Sequence, residues 1–200
     1  MLNLRNHFGI NVERKFLDWF RGEFATEFAE RFPGKGITLV ILDPDNLFQA
    51  CLDWRTPLAH EILLGVLGDP KASNEPGGTY NNVVGKLMYV LRTNTYHSLD
   101  AETDYVMLRP GDFPWEGAGM YKEFLGGVSG LAKQDDWAVY CQCIDKLREL
   151  LEAVGKKAKE TADELRGTEG APIGIKYLNG IVLTDEDVWP TKKAEPAEKA

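Results

Sequence analysis

Apolar residues recur along this chain with a helical period in some stretches and as short strand-like runs in others. From about Asn11 to Phe32, the residues Val12, Phe16, Phe20, Phe24, Phe28 and Phe32 return at every fourth position, with Trp19 beside them and charges between. That spacing predicts a helix with one heavily aromatic face. Asn11 suits its N-cap, and Pro33-Gly34 ends it. Such a stripe faces either a core or an interface with a second subunit or a partner. Lys35-Gly36 then leads into Ile37-Thr38-Leu39-Val40-Ile41-Leu42, a near-continuous apolar run that predicts a strand. Asp43-Pro44-Asp45-Asn46 is turn chemistry, so Leu47 to Leu52 reads as the returning strand of a hairpin.

Pro57 to Leu67 reads as a short helix, with proline in its first turn and Gly68 after its end. Asp69 to Thr79, rich in Pro, Gly, Ser and Asn, reads as an exposed loop. Asn81 to Arg92 predicts a helix that buries Val83, Val84, Leu87, Met88, Val90 and Leu91. Tyr105 to Leu108 and Met120 to Val128 predict strands. A helix follows from about Lys133 to Val154, where Trp137, Tyr140, Cys141, Ile144, Leu147, Leu151 and Val154 fall at three- and four-residue steps. Asp135 and Asp136 lie in its first turn, where negative charge suits the helix dipole. The small-residue turn Gly126-Gly127-Val128-Ser129-Gly130 joins strand to helix, as a tight connection or as a place where backbone amides meet an anion. This order of elements, with hairpins in place of obligate crossovers, predicts an α+β fold in which helices pack on an antiparallel sheet. Beyond Gly155, Lys156 to Arg166 reads as a charged helix with a thin apolar face. The chain divides into a domain over 1–154, a helical and extended appendage over 155–183, and a disordered acidic tail over 184–200.

Composition narrows the classes of function. A net charge of −8 and a pI near 5.0 argue against a broad nucleic-acid or anionic-membrane surface. No apolar run approaches the ~20 residues of a membrane span. Met1 to Ile10 lacks the apolar centre of a secretory signal. Cys51, Cys141 and Cys143 lack zinc-site spacing and read as reduced thiols of a cytoplasmic protein.

No sequence signature fixes a reaction, and whether the chain is an enzyme stays open. HExxH, P-loop and Rossmann patterns are missing from the sequence. The Gly126–Gly130 turn does not follow the order of a nucleophile elbow, so Ser129 reads as a turn or capping group. His7, His60 and His97 stand apart from one another. His97, in a polar cluster after a helix, is the candidate ligand for a metal or haem iron. Arg92 with Asn94 and Thr95 can bind a carboxylate or phosphate, or simply close a helix C-terminus. Asp43 and Asp45, like Glu102 and Asp104, lack a calcium-loop spacing.

Several segments together carry a resemblance. In order they are Leu47 to Leu52, then Lys86 through Asn94-Thr95, then Gly111-Asp112-Phe113-Pro114, then Gly126-Gly127-Val128-Ser129-Gly130-Leu131 with Asp135-Asp136. Over roughly residues 10–152 the chain resembles the haem-degrading-domain family, relatives of the GlcG- and HbpS-like haem-binding proteins. The resemblance implies a profilin-like layer fold with about five antiparallel strands flanked by helices. It implies homo-oligomerisation and a small-molecule ligand, haem among the candidates. It also implies a pocket that gathers Lys86, Arg92, Asn94, Phe113, Gly127 and Ser129. The alternative is a non-enzymatic oligomeric scaffold that recruits protein partners through its C-terminal appendage.

Overall fold

Strand β1 (Ile37–Leu42) is buried along its whole length because helices cover both faces of its sheet. In the computed structural model, residues 2–69, 78–98, 105–113, 115–166, 168 and 178–190 are described. Ile37, Leu39 and Ile41 point into one core cluster; Val40 and Leu42 point into the other. That is the period-2 alternation of a strand, and here both sides are apolar.

The first cluster lies under α1 (Val12–Arg21), α2 (Glu23–Arg31) and the long helix α5 (Lys133–Arg166). Phe16, Phe20, Phe24 and Phe28 are all buried in it, so the aromatic stripe is a core face. The single helix predicted over Asn11 to Phe32 is in fact two. At Gly22 the backbone leaves helical geometry (φ −101°, ψ −92°), and the Gly22 N–H still bonds to Asp18 O at 3.0 Å. Asn11 caps α1 as expected, accepting from the Arg14 N–H.

The returning strand is not Leu47 to Leu52. The Asp43 carboxylate accepts the Asp45 N–H at 3.0 Å and starts a 3-10 turn over Pro44–Asn46. The chain continues helically into α3 (Leu47–Leu52), leaving Phe48 79% exposed. The partner of β1 is β2 (Glu61–Leu67), in the stretch predicted as a helix; only Pro57–His60 is helical there, as a 3-10 turn. Gly65 makes room on β2, since a Cβ there would lie 2.8 Å from the Phe20 ring.

Helix α4 (Thr79–Thr93) forms where predicted and packs with α3 over the second face. Tyr105–Met107 is a 3-10 turn and not a strand. Arg109 Nη1 donates to Val106 O and Leu108 O at 3.0 and 2.8 Å, occupying carbonyls that a ladder needs. The strand predicted over Met120 to Val128 is a hairpin of β3 (Ala118–Tyr121) and β4 (Phe124–Ser129), turning at Lys122 with φ 54°. The sheet is antiparallel throughout, in the order β2-β1-β4-β3. The described residues thus hold four strands; the fold is α+β, three layers deep.

The predicted domain boundary after Val154 falls inside α5, which runs unbroken for 34 residues, roughly 50 Å. Val154, Ala158 and Ala162 on its second half are buried in the first core cluster. So are Ile181 and Leu183, and the Leu183 N–H bonds to Phe8 O at 2.7 Å. Within the predicted tail, α6 (Asp185–Val188) opens with a capping box between Thr184 and Asp187. Most of the predicted loop over Asp69 to Thr79, and residues 191–200, lie outside the described residues.

Candidate functional site

The N-terminal ends of α4 and α5 meet the exit of β4 around a cleft of about 660 Å³. Thr79 and Asn82 line it from α4, Ser129 from the end of β4 and Gly130 from the turn after it. Gly130 sits at φ +139°, and a Cβ on it would strike Gly36 O, so only glycine turns the chain here. The cleft's wall includes Phe113 and Trp115, whose rings stand edge to face with centroids 4.2 Å apart.

Two charged side chains lie buried at this cleft. Lys86 on α4 is 1% exposed and Asp136 on α5 is 2% exposed. Lys86 Nζ donates to Asp136 Oδ2 at 2.7 Å and to Val128 O at 3.1 Å. Asp136 Oδ1 accepts the Leu131 N–H at 2.9 Å, which ties the turn to the helix it precedes. Burial pushes the Asp136 carboxyl up to about 6; Lys86 and the Leu131 N–H oppose the rise, and Asp135 adds to it. Burial lowers the Lys86 pKa, and Asp136 and Glu116 act against that. Gly117 allows the pair to form. It has φ +121°, and a Cβ there would lie 2.6 Å from Lys86 Nζ and 2.8 Å from Asp136 Cβ.

The loop that delivers Phe113 is pinned from α4. Arg92 Nη2 and the Arg109 N–H both donate to Asp112 Oδ2. Gly85 lets the loop approach, since a Cβ there would meet Gly111 O at 2.7 Å and Phe113 N at 3.0 Å. Ser98 is buried, donates to Trp115 O at 2.9 Å and accepts the Ala118 N–H at 3.1 Å, fixing the entry to β3.

The site residues proposed from sequence scatter. Lys86, Phe113 and Ser129 line the cleft. Gly127 lies within β4, where a Cβ would crowd Ala118. Arg92 is engaged with Asp112, which leaves it holding a loop. Asn94 is the left-handed C-cap of α4 and lines a separate groove of about 330 Å³ with Phe48, Tyr96 and Leu91. His97 bridges to Gly119 and sits edge-on to Trp137, with ring centroids 4.1 Å apart and Glu116 Oε1 3.9 Å from Nε2. Asp136, Glu116 and Gly117 were not singled out as site residues from the sequence. The signal for Asp136 was its place in the first turn of a helix; nothing local announces a partner on another helix.

Haem iron is commonly held by His, Cys, Met or Tyr. None of these lines the cleft among the described residues, and His97 is not at its wall. The cleft therefore does not fit haem held through His97. No group of three or more His, Cys, Asp or Glu residues placed to hold a metal occurs among the described residues. No described helix is long and apolar enough to cross a membrane.

Comparison with protein-family models, with curated proteins and with solved structures finds no match to this chain.

Proposed function

We infer that the protein binds a small anionic organic molecule in the cleft between α4 and α5, in the manner of the haem-degrading-domain proteins its sequence resembles. The observation that carries this reading is the Lys86–Asp136 pair, buried yet lining a cleft with aromatic walls. Ionisable groups strongly shifted by burial and set in a concave site are candidates for function. The ends of two helices at one cleft favour negative charge on the ligand. An antiparallel sheet covered by helices on both faces supports the profilin-like description of the fold.

Trp115, 41% exposed at the cleft, gives the test. Tryptophan fluorescence is followed while hemin and a panel of organic carboxylates are added. Saturable binding that Lys86→Met abolishes supports the reading. If no member of the panel binds saturably, it fails. Hemin binding with a Soret shift that survives His97→Ala would place the iron ligand elsewhere than His97.

A second reading, a self-associating scaffold that recruits protein partners, draws on exposed apolar residues. Phe48 and Tyr96 are each 79% exposed beside the groove that Asn94 lines. Light scattering behind size exclusion tests it; a strict monomer at all concentrations sinks it.

A further inference from the structure

The binding reading of the cleft leaves a question of charge that the buried pair answers. Lys86 and Asp136 neutralise each other at 2.7 Å. An anion brought against this buried pair leaves one negative charge that neither buried group compensates, which is costly. The cost disappears if one carboxylate takes up a proton. Two carboxyl groups act on Lys86, Asp136 against it and Glu116 at the cleft wall, and Asp135 on the same helix acts on Asp136. Asp136 is the one that is buried, and it is in direct contact with the ammonium. Lys133 is the other cation at the cleft, on an exposed turn of α5. His97 faces Glu116 from the segment after α4.

An ammonium carries three donors. Two of those of Lys86 are spent on Asp136 and Val128 O; the ammonium also lies 5.7 Å from the centroid of the Phe113 ring at the cleft wall, and no further hydrogen-bond acceptor for it is seen among the described residues. A ligand carboxylate can accept that third N–H while Asp136 becomes a neutral acid. The Leu131 N–H stays bonded to Asp136 Oδ1 in either state. Only one buried cation is released by this exchange, which suits a monoanion better than a phosphate dianion. Phe113 and Leu131 at the wall ask for an apolar body behind the charge.

Resting on the binding reading above, we propose that the cleft takes up an organic monocarboxylate together with one proton, the anion pairing with Lys86 and the proton residing on Asp136. The proton comes from solvent, no covalent bond to carbon changes, and ligand release returns it.

Benzoate, ionised throughout the range used, is the probe, and inorganic phosphate is the comparison. Calorimetry in two buffers of different ionisation enthalpy counts protons taken up by the wild-type protein. Amide shifts of Gly130 and Leu131 locate binding at the cleft. The expected result is uptake approaching one proton, with Kd for benzoate rising about tenfold per pH unit above about pH 7. Asp136→Asn is expected to abolish both the uptake and the slope. Because the wild-type measurement stands alone, an Asp136→Asn protein that fails to fold does not remove the test. Benzoate binding at the cleft with no proton uptake and a flat pH profile overturns the proposal and leaves the binding reading standing. Tighter binding of phosphate than of benzoate overturns the monocarboxylate assignment. No binding of either probe at any pH overturns both readings.

Discussion

Replacing Asp136 by Asn is expected to remove a component of stability that falls as pH rises. The ordinary carboxyl value is 3.8, and burial in the folded protein pushes Asp136 up to about 6. A carboxyl whose folded pKa lies above its unfolded one holds its proton more tightly in the native state. Its contribution is fully present below the unfolded value and is lost as pH rises through the folded one. At about 1.4 kcal/mol per pH unit, the interval amounts to roughly 3 kcal/mol, lost between about pH 4 and about pH 7. That is a large part of a typical folding free energy of about 5–15 kcal/mol. A buried salt bridge is usually expected to behave the other way, gaining strength as the carboxyl ionises. Here the desolvation of Asp136 outweighs the attraction of Lys86. Urea unfolding followed by tryptophan fluorescence, in pH steps across that window, measures wild type and variant side by side. Carboxyls such as Asp53 and Asp187, which are held low, titrate alike in both proteins and cancel in the difference. Any further drop in the Lys86 pKa in the variant acts in the same direction. The stability of wild type minus that of the variant should shrink by roughly 3 kcal/mol on going up in pH. A difference that stays constant, or grows with pH, refutes the reasoning.

Other changes test the packing directly. Phe20→Ala, at a buried ring stacked between Phe16 and Phe24 at 5.9 and 5.3 Å, should cost about 3–5 kcal/mol in urea unfolding. Gly130→Ala forces a Cβ into Gly36 O at positive φ and should lower stability by at least about 2 kcal/mol; an unchanged Tm contradicts the close approach. A thiol reagent should label half-buried Cys51 first and Cys141, pushed up to about 11, more slowly; buried Cys143 should react only on unfolding. Tyr140→Phe removes a buried bond to Phe124 O at 3.0 Å and should cost about 1 kcal/mol, read in the same unfolding assay.

The sequence was most legible where one element's periodicity matched its own burial. The Phe16–Phe28 stripe and the Ile37–Leu42 run read correctly, since each buries what its spacing displays; the α4 and α5 faces read only in part, with Val84, Met88, Trp137 and Leu151 half-buried and the buried Tyr89 and Val139 lying outside the predicted faces. Leu47 to Leu52 misled because six residues carry too little period to separate strand from helix, and Phe48 and Leu52 are apolar yet exposed. The β3–β4 turn was invisible: it falls on Lys122-Glu123, without the Gly or Asn that positive φ usually attracts. At the site, the glycine turn and Lys86 stood out in the sequence. The Lys86–Asp136 pair did not, because its members are 50 positions apart and only the packing of α4 against the start of α5 joins them. Gly117 reads as an ordinary loop glycine until the pair beside it is known.

The stitching of residues 181–189 onto the first helix bears on how the chain can be made. Arg14 and Asp185, 171 positions apart, meet at 3.0 Å, and Lys15 lies over the Trp189 ring. At about 5–20 residues per second of synthesis, roughly 10–35 s separate the emergence of the two segments. For most of that interval Phe16, Phe20, Phe24 and Phe28 lack α5, and throughout it they lack Ile181 and Leu183, as cover. The nascent chain therefore presents a partly uncovered aromatic ladder until residues 133–183 are made. Chaperone capture early in translation, and aggregation of versions truncated before residue 181, follow from that order of events.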